Sequence, residues 1–312
     1  VSSLTDVAVG LLRSERARRV IQALVIALVL FFFGYAGYRL WPDIAAYDDW
    51  HFDPGYTALA LLILVARGPL GAYGWWLIMR QLGYKLPWWR SVRIVYYSTF
   101  AGYIPGGWWH AVSRVYLAEK EGAPRVVTTL SVVVESLMVA FGAAVVVSIS
   151  LLTWRNPDQW VVITGIATLL VLVLFLLQPN ALLRAANWLL VKTGRKPIDV
   201  HFTTVDMLRL LWPYVLNWLL FGLMSFMLIA ALYPQLSIEH LGPVTGLFTS
   251  AWLAGYLAIF VPQGLVVREL IITSFLTSFV GLPIPVAAIS AVVSRLWSML
   301  GVAIWAAIST RL

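Results

Sequence analysis

The sequence predicts an all-α polytopic membrane protein of about six transmembrane helices plus two re-entrant helical hairpins in an inverted repeat. Three observations lead there. Hydrophobic residues make up 61% of the chain and charged residues only 12%, where a soluble domain carries about 25% charged. Lys and Arg gather in short segments beside alternate apolar runs, which is how membrane proteins mark their cytoplasmic loops. Two stretches then repeat one device: a Pro-x-Gly turn, a short helix marked by Arg, a Gly-x-Pro stop, and a long apolar helix carrying one charge. The first holds Pro105-Gly106-Gly107, Arg114, Gly122-Ala123-Pro124 and Glu135; the second holds Pro262-Gln263-Gly264, Arg268-Glu269, Gly281-Leu282-Pro283 and Arg295.

Composition excludes several classes. With 312 residues and a mean hydropathy of +0.85, the chain is a single transmembrane domain, 1–312, with no stretch left for a sizeable soluble unit. The net charge of +8 sits beside spans and forms no basic face, so nucleic acid is not expected as a partner. Cysteine is absent, which removes disulfides and thiolate metal sites. The first apolar run, near 20–41, is too long for a cleavable signal and reads as a span. Several of the sixteen Trp, among them Trp41, Trp75, Trp76, Trp88, Trp89, Trp154 and Trp160, flank spans, where amphipathic rings favour the interface.

Taken in order, residues 1–19 form a basic cytoplasmic lead-in. The span Val20 to Trp41 exits into a loop with Asp43, Asp48, Asp49 and Asp53 and no Lys or Arg. Tyr56 to Arg80 returns inward, with Arg67-Gly68-Pro69 near its centre, where a kink is expected. From Ser91 to Ile104 the apolar run is only about 21 Å of helix, in the length range of re-entrant segments. Pro105, Gly106 and Gly107 turn the chain at depth, and Trp108 to Glu121 brings it back. Such a turn survives only inside protein or beside a wet cavity.

Val126 to Trp154 is a full span, followed by an outer turn at 155–158 and the inward span Trp160 to Gln178. The stretch 179–209, with Arg184, Lys192, Arg195, Lys196 and Arg209, is a cytoplasmic loop with a surface helix near 180–193. Leu210 to Tyr233 goes outward. Val244 to Val261, the turn Pro262-Gln263-Gly264 and Leu265 to Val280 form the second hairpin, entered from outside. Pro285 to Ser309 is the last span, and both termini are cytoplasmic. The repeats are therefore 56–154, with hairpin 91–122, and 210–309, with hairpin 244–281, in opposite orientations as in many transporters. Reading each hairpin as ordinary short spans would break the charge bias.

Charges inside a membrane cost at least about 2.5–3.5 kcal/mol each on insertion scales and by default mark function. The candidates are Arg67, Arg114, Glu135, Arg268, Glu269 and Arg295. They sum to four positive and two negative, so complete internal pairing leaves two positive charges for a visiting anion, and guanidinium binds phosphate or carboxylate bidentately. Helix N-termini after the two turns would add to an anion site. Each residue also has a structural reading. Arg268-Glu269 could pair with Glu135 or Arg114 and pin the hairpins; Arg67 could snorkel or hold a carbonyl; Glu135 could pair with Arg295 or Arg268, or carry a proton. His110 reads as structural, and Gly68, Gly71 and Gly74 suggest close helix packing. No metal, cofactor, ATP-binding or hydrolase motif is present, so no enzyme activity is expected.

At Pro105-Gly-Gly, Arg114, Gly122 and Ser131 to Glu135, and again at Pro262-Gln-Gly-Leu-Val-Val-Arg268-Glu269, Gly281 and Ser290 to Arg295, the chain resembles the lysylphosphatidylglycerol synthetase transmembrane family, also described as flippase-like. The resemblance spans about residues 20–310. It implies movement of a lipid: aminoacylated phosphatidylglycerol, a glycolipid or a polyprenyl-phosphate lipid. Carried over, Arg114, Glu135, Arg268, Glu269 and Arg295 form the functional set. Bifunctional members add a cytoplasmic aminoacyl-transferase domain, for which these residues leave no room, so synthase activity is not expected. Gln263 stands where a small residue would.

The leading expectation is a flippase of the cytoplasmic membrane that binds an anionic lipid headgroup in a midplane, Arg-lined cavity. The alternatives are a non-transporting lipid-binding partner of a separate synthase or glycosyltransferase, and a transporter of a small soluble anion. An oligomer is compatible with all three.

Overall fold

The computed structural model describes residues 41–102, 109–154, 159–194, 196–257 and 266–310, together with positions 34, 38 and 264. The predicted lead-in 1–19, nearly all of the first span, and the turn residues Pro105, Gly106, Gly107, Pro262 and Gln263 lie outside the described residues. No strand occurs among those described.

Helix α1 runs Pro54–Gln81. Proline at its first position needs no N–H partner, and Asp53 Oδ1 accepts from the N–H groups of Gly55 and Tyr56 at 2.7 and 3.0 Å. Helices α2 (Trp88–Ala101) and α3 (Trp109–Lys120) follow, then α4 (Arg125–Leu151), α5 (Gln159–Leu177), α6 (Ala181–Lys192) and α7 (Thr204–Leu232). After a short 3-10 turn, Ile238–His240, come α8 (Leu241–Leu257), α9 (Val267–Ser278) and α10 (Ile284–Thr310). Helices α1, α4, α7 and α10 are long and apolar enough to cross a membrane. Helix α7 starts six residues before the expected Leu210 because Thr203 and Asp206 form a reciprocal capping box, which satisfies two otherwise orphaned backbone donors.

The short helices form two hairpins that open toward opposite ends of the molecule. In the first, Arg90 and Arg93 at the start of α2 bind Glu121, just past α3, at 2.6 and 2.8 Å, so the chain returns to the end it left. Helices α2 and α3 have 14 and 12 residues, about 21 and 18 Å, against a hydrocarbon core of about 30 Å. Gly122, at φ +85°, then ends α3. Its N–H donates to Glu119 O and the N–H of Ala123 reaches back to Ala118 O, a Schellman closure. In the second hairpin, Phe275 and Phe279 near the end of α9 pack on Trp154. The start of α8 lies there too, with Gly246 against Ser150. Gly281, at φ +74°, and a bond from Leu282 N–H to Leu276 O repeat the stop. One hairpin mouth thus sits at the first residue of α4 and the other beyond its last.

Helix α7 is buried along most of its length and packs against α1, α4, α8 and α10. The main core joins Leu64 of α1, Val146 of α4, Phe221 and Ile229 of α7, Phe248 of α8, Ile272 of α9 and Val286 of α10. The glycine series in α1 serves ring seating: an added Cβ at Gly68 would stand 1.9 Å from Trp305 Nε1, and at Gly74 2.5 Å from Tyr214 Cζ, while Gly71 faces open space. The predicted close approach of helix to helix is therefore an approach of aromatic rings to a helix backbone.

Candidate functional site

The first hairpin delivers Arg114. It lies on α3, 4% exposed, with its guanidinium 5.5 Å from the Trp75 ring. Its Nε donates to Ser98 Oγ on α2 at 2.9 Å. That hydroxyl spends its own proton on Val95 O, which leaves its lone pairs for the arginine. Nη1 of Arg114 donates to Glu135 on α4. The pairing corrects two sequence readings at once, because Glu135 meets Arg114 and not Arg295 or Arg268. Glu135 sits near the middle of α4, within reach of Arg114 from the middle of the 12-residue α3.

The second hairpin delivers Arg268 and Glu269. Glu269 Oε1 accepts from Arg295 Nη1 of α10 at 2.6 Å. Arg268 is 6% exposed, and its stem lies across Gly255 of α8. A Cβ there would stand 2.6 Å from Arg268 Cγ. The turn before α9 is strained: Gly264 has φ +63° and Val266 φ +71°. A β-branched side chain rarely tolerates that region, and such outliers cost on the order of 1–3 kcal/mol. A Cβ on Gly264 would also strike Gly255 backbone at 2.3 Å, so the two limbs meet at a contact only glycines permit.

The two hairpins converge on a cavity of about 260 Å³ lined by Arg67, Arg114, Glu135, Arg268 and Arg295. Glu269 is absent from the lining and reaches it through Arg295. Arg67 does hold a neighbouring carbonyl, that of a side-chain amide. Its Nε donates to Asn217 Oδ1 at 3.2 Å and its guanidinium sits 4.9 Å over the Phe221 ring. Among the described residues around this space, four guanidinium groups and two carboxylates sum formally to two positive charges. A bond from Tyr256 of α8 to Ser136 of α4, 3.0 Å, ties the second hairpin to α4 one residue from Glu135. His110 lies 6.5 Å, ring to ring, from Tyr256. No cluster of metal-ligating side chains occurs among the described residues.

Sequence reasoning missed several lining residues: Tyr96, Tyr214, Asn217, Trp218, Trp252 and Trp305. Asn217 carried a signal, as an amide inside the apolar run of α7. Trp305 did not. Its role comes from Pro69, whose missing N–H frees the carbonyl of Val65; Trp305 Nε1 donates to that carbonyl at 3.1 Å. Tyr96 stacks on Trp305 at 6.0 Å and donates to Gly68 O. The Arg67-Gly68-Pro69 motif therefore joins a charged lining residue, a ring seat and an orphan carbonyl in three consecutive positions.

A basic cavity lined by side chains of both hairpins, among several long apolar helices, belongs to a polytopic helical membrane protein. The chain belongs to the family described as the lysylphosphatidylglycerol synthase TM region, whose model matches residues 19–306. No curated protein matches it significantly.

Proposed function

We propose that this protein is a translocase that moves a lipid with an anionic headgroup across the cytoplasmic membrane, as a multi-pass protein with both termini cytoplasmic. One observation carries the reading. Two oppositely opening hairpins and the long helices α1, α4 and α10 bring four arginines and Glu135 to one cavity, with Glu269 bonded to Arg295 behind it. Guanidinium groups suit an anionic headgroup because their planar fork binds phosphate bidentately. The volume of about 260 Å³ falls below the roughly 300–1,000 Å³ of pockets that engulf drug-sized ligands. It suits a headgroup whose tails remain in the bilayer. Opposite hairpin mouths supply the two-sidedness that alternating access needs. No bond need be made or broken, so the protein acts as a carrier and not an enzyme.

The test is reconstitution into vesicles containing headgroup-labelled phosphatidylglycerol, with a membrane-impermeant quencher added outside. Wild-type protein should expose the inner-leaflet label, and Arg268→Ala should slow that exposure at least tenfold while remaining folded. Label that stays protected in wild-type vesicles would sink transport. Retained lipid binding in that case would favour a non-transporting subunit that serves a separate synthase or glycosyltransferase.

A further inference from the structure

Helix α6 carries two faces of different chemistry. On one, Leu183 is buried and Ala186 partly so, in the core that Phe202 shares with Met207 and Leu210 of α7. Asn187, on the same side, holds both backbone groups of Ile198, as Asn180 holds those of Phe202. The segment after α6 therefore runs back along it to the start of α7. Because α7 is long and apolar enough to cross a membrane, α6 is fixed at the membrane boundary.

The other face carries Arg184, Trp188, Leu189, Val191 and Lys192, all exposed and all within an arc of about 160° at 3.6 residues per turn. Trp188 is 65% exposed, Val191 60% and Leu189 55%, an apolar patch that water alone covers poorly. The cations decide what does cover it. Lys192 Nζ stands 4.9 Å from the Trp188 ring, and Arg184 lies one turn before that ring. Hydrocarbon would reject these charges, whereas a headgroup layer takes rings and aliphatic stems at the acyl boundary and charged tips among phosphates. The surroundings agree. Residues 178–209 hold five Lys or Arg and two Asp, and Asp206 is engaged in the capping box. At the same end Trp212 of α7 joins a ring cluster with Tyr73, Trp76 and Trp88, where Arg80 stands 4.5 Å over Trp76.

We propose that the outer face of α6 lies in the headgroup layer and binds an anionic lipid surface through Arg184, Trp188 and Lys192. The ligand is the leaflet and not one headgroup. No cavity residue takes part, so this stands or falls independently of the translocase reading.

Cysteine is absent from the chain, so a single Leu189→Cys, carrying a fluorophore, reports on this face alone. The full chain is placed in nanodiscs of phosphatidylcholine, or of equal parts phosphatidylcholine and phosphatidylglycerol, each with a trace of lipid bearing a headgroup nitroxide. Quenching should be at least about twofold stronger in the anionic discs, as expected for juxtamembrane cations at a negative surface. Arg184→Glu/Lys192→Glu should abolish that difference and leave the melting temperature in detergent unchanged. Arg268→Ala, at the cavity, should quench as the wild type does. Equal quenching in the two discs, or a difference that survives the charge reversal, overturns the proposal. So does a label that aqueous iodide quenches and lipid nitroxide does not, which would put the face in water. A label shielded from both quenchers overturns it too, because a second copy of the chain would then cover the face.

Discussion

The stem of Arg268 lies so close over Gly255 that a methyl group on that glycine would stand 2.6 Å from Arg268 Cγ. The close fit makes one glycine of α8 responsible for where a guanidinium of α9 points. Gly255→Ala should therefore lower phosphatidylglycerol binding about tenfold, with a stability loss of about 1–3 kcal/mol. Gly264→Ala should be worse, because it combines φ +63° with a backbone collision at 2.3 Å. Isothermal binding and thermal unfolding on the two variants decide this; equal effects would contradict the geometry.

Breaking the Arg114–Glu135 pair should cost more than deleting it. The two side chains are 5% and 16% exposed, so Arg114→Ala leaves a largely buried carboxylate without its cation, an effect of about 3–5 kcal/mol. Arg114→Ala/Glu135→Ala should recover part of that loss, with a coupling above about 1 kcal/mol in a double-mutant cycle. Additive single effects would mean that the pair is not a unit.

In α1 the three glycines should respond differently to alanine. Gly68→Ala meets the Trp305 ring and Gly74→Ala the Tyr214 ring, whereas Gly71 faces open space in the cavity. Gly71→Ala should keep or raise the melting temperature, given a helix propensity gain of up to about 1 kcal/mol. The other two should lower it. A matched loss at all three positions would show that α1 needs bare backbone and not ring seats.

The loop after α6 offers a test outside the site. Asn187 accepts from Ile198 N–H at 2.7 Å and donates to Ile198 O at 2.9 Å, and Asn180 does the same with Phe202. Two amides thus serve as the strand partner of an extended segment. Asn187→Ala should speed amide exchange across 196–203 and proteolysis there, with lipid binding unchanged. Protection that survives the change would place the loop's order elsewhere.

Much of this was legible beforehand. The Gly-x-Pro stops at Gly122 and Gly281 announce positive φ, because glycine alone reaches it without strain, and both hold it. Short limb length and charge bias indicated hairpins, and five of the six charged candidates line one cavity. The pairing was not legible. Nothing in spacing says that Glu135 meets Arg114 across 21 residues, since three other arginines were available at similar depth. Nor does α7 advertise Tyr214: an aromatic residue after Pro213 in an apolar run reads as core until the fold sets it at the cavity wall.

The sequence by itself determined what each segment is: long apolar helices, short limbs, glycine stops, and charges too costly to be accidental. Those are local properties of chain chemistry and of water, and they need no neighbour. Tertiary structure decided which groups share a space. It placed Trp305 on the carbonyl that Pro69 frees, passed Arg268 over Gly255, and paired Glu135 with Arg114 and Glu269 with Arg295. A buried charge specifies that it must be satisfied. Which partner satisfies it depends on the packing of helices far apart in the chain.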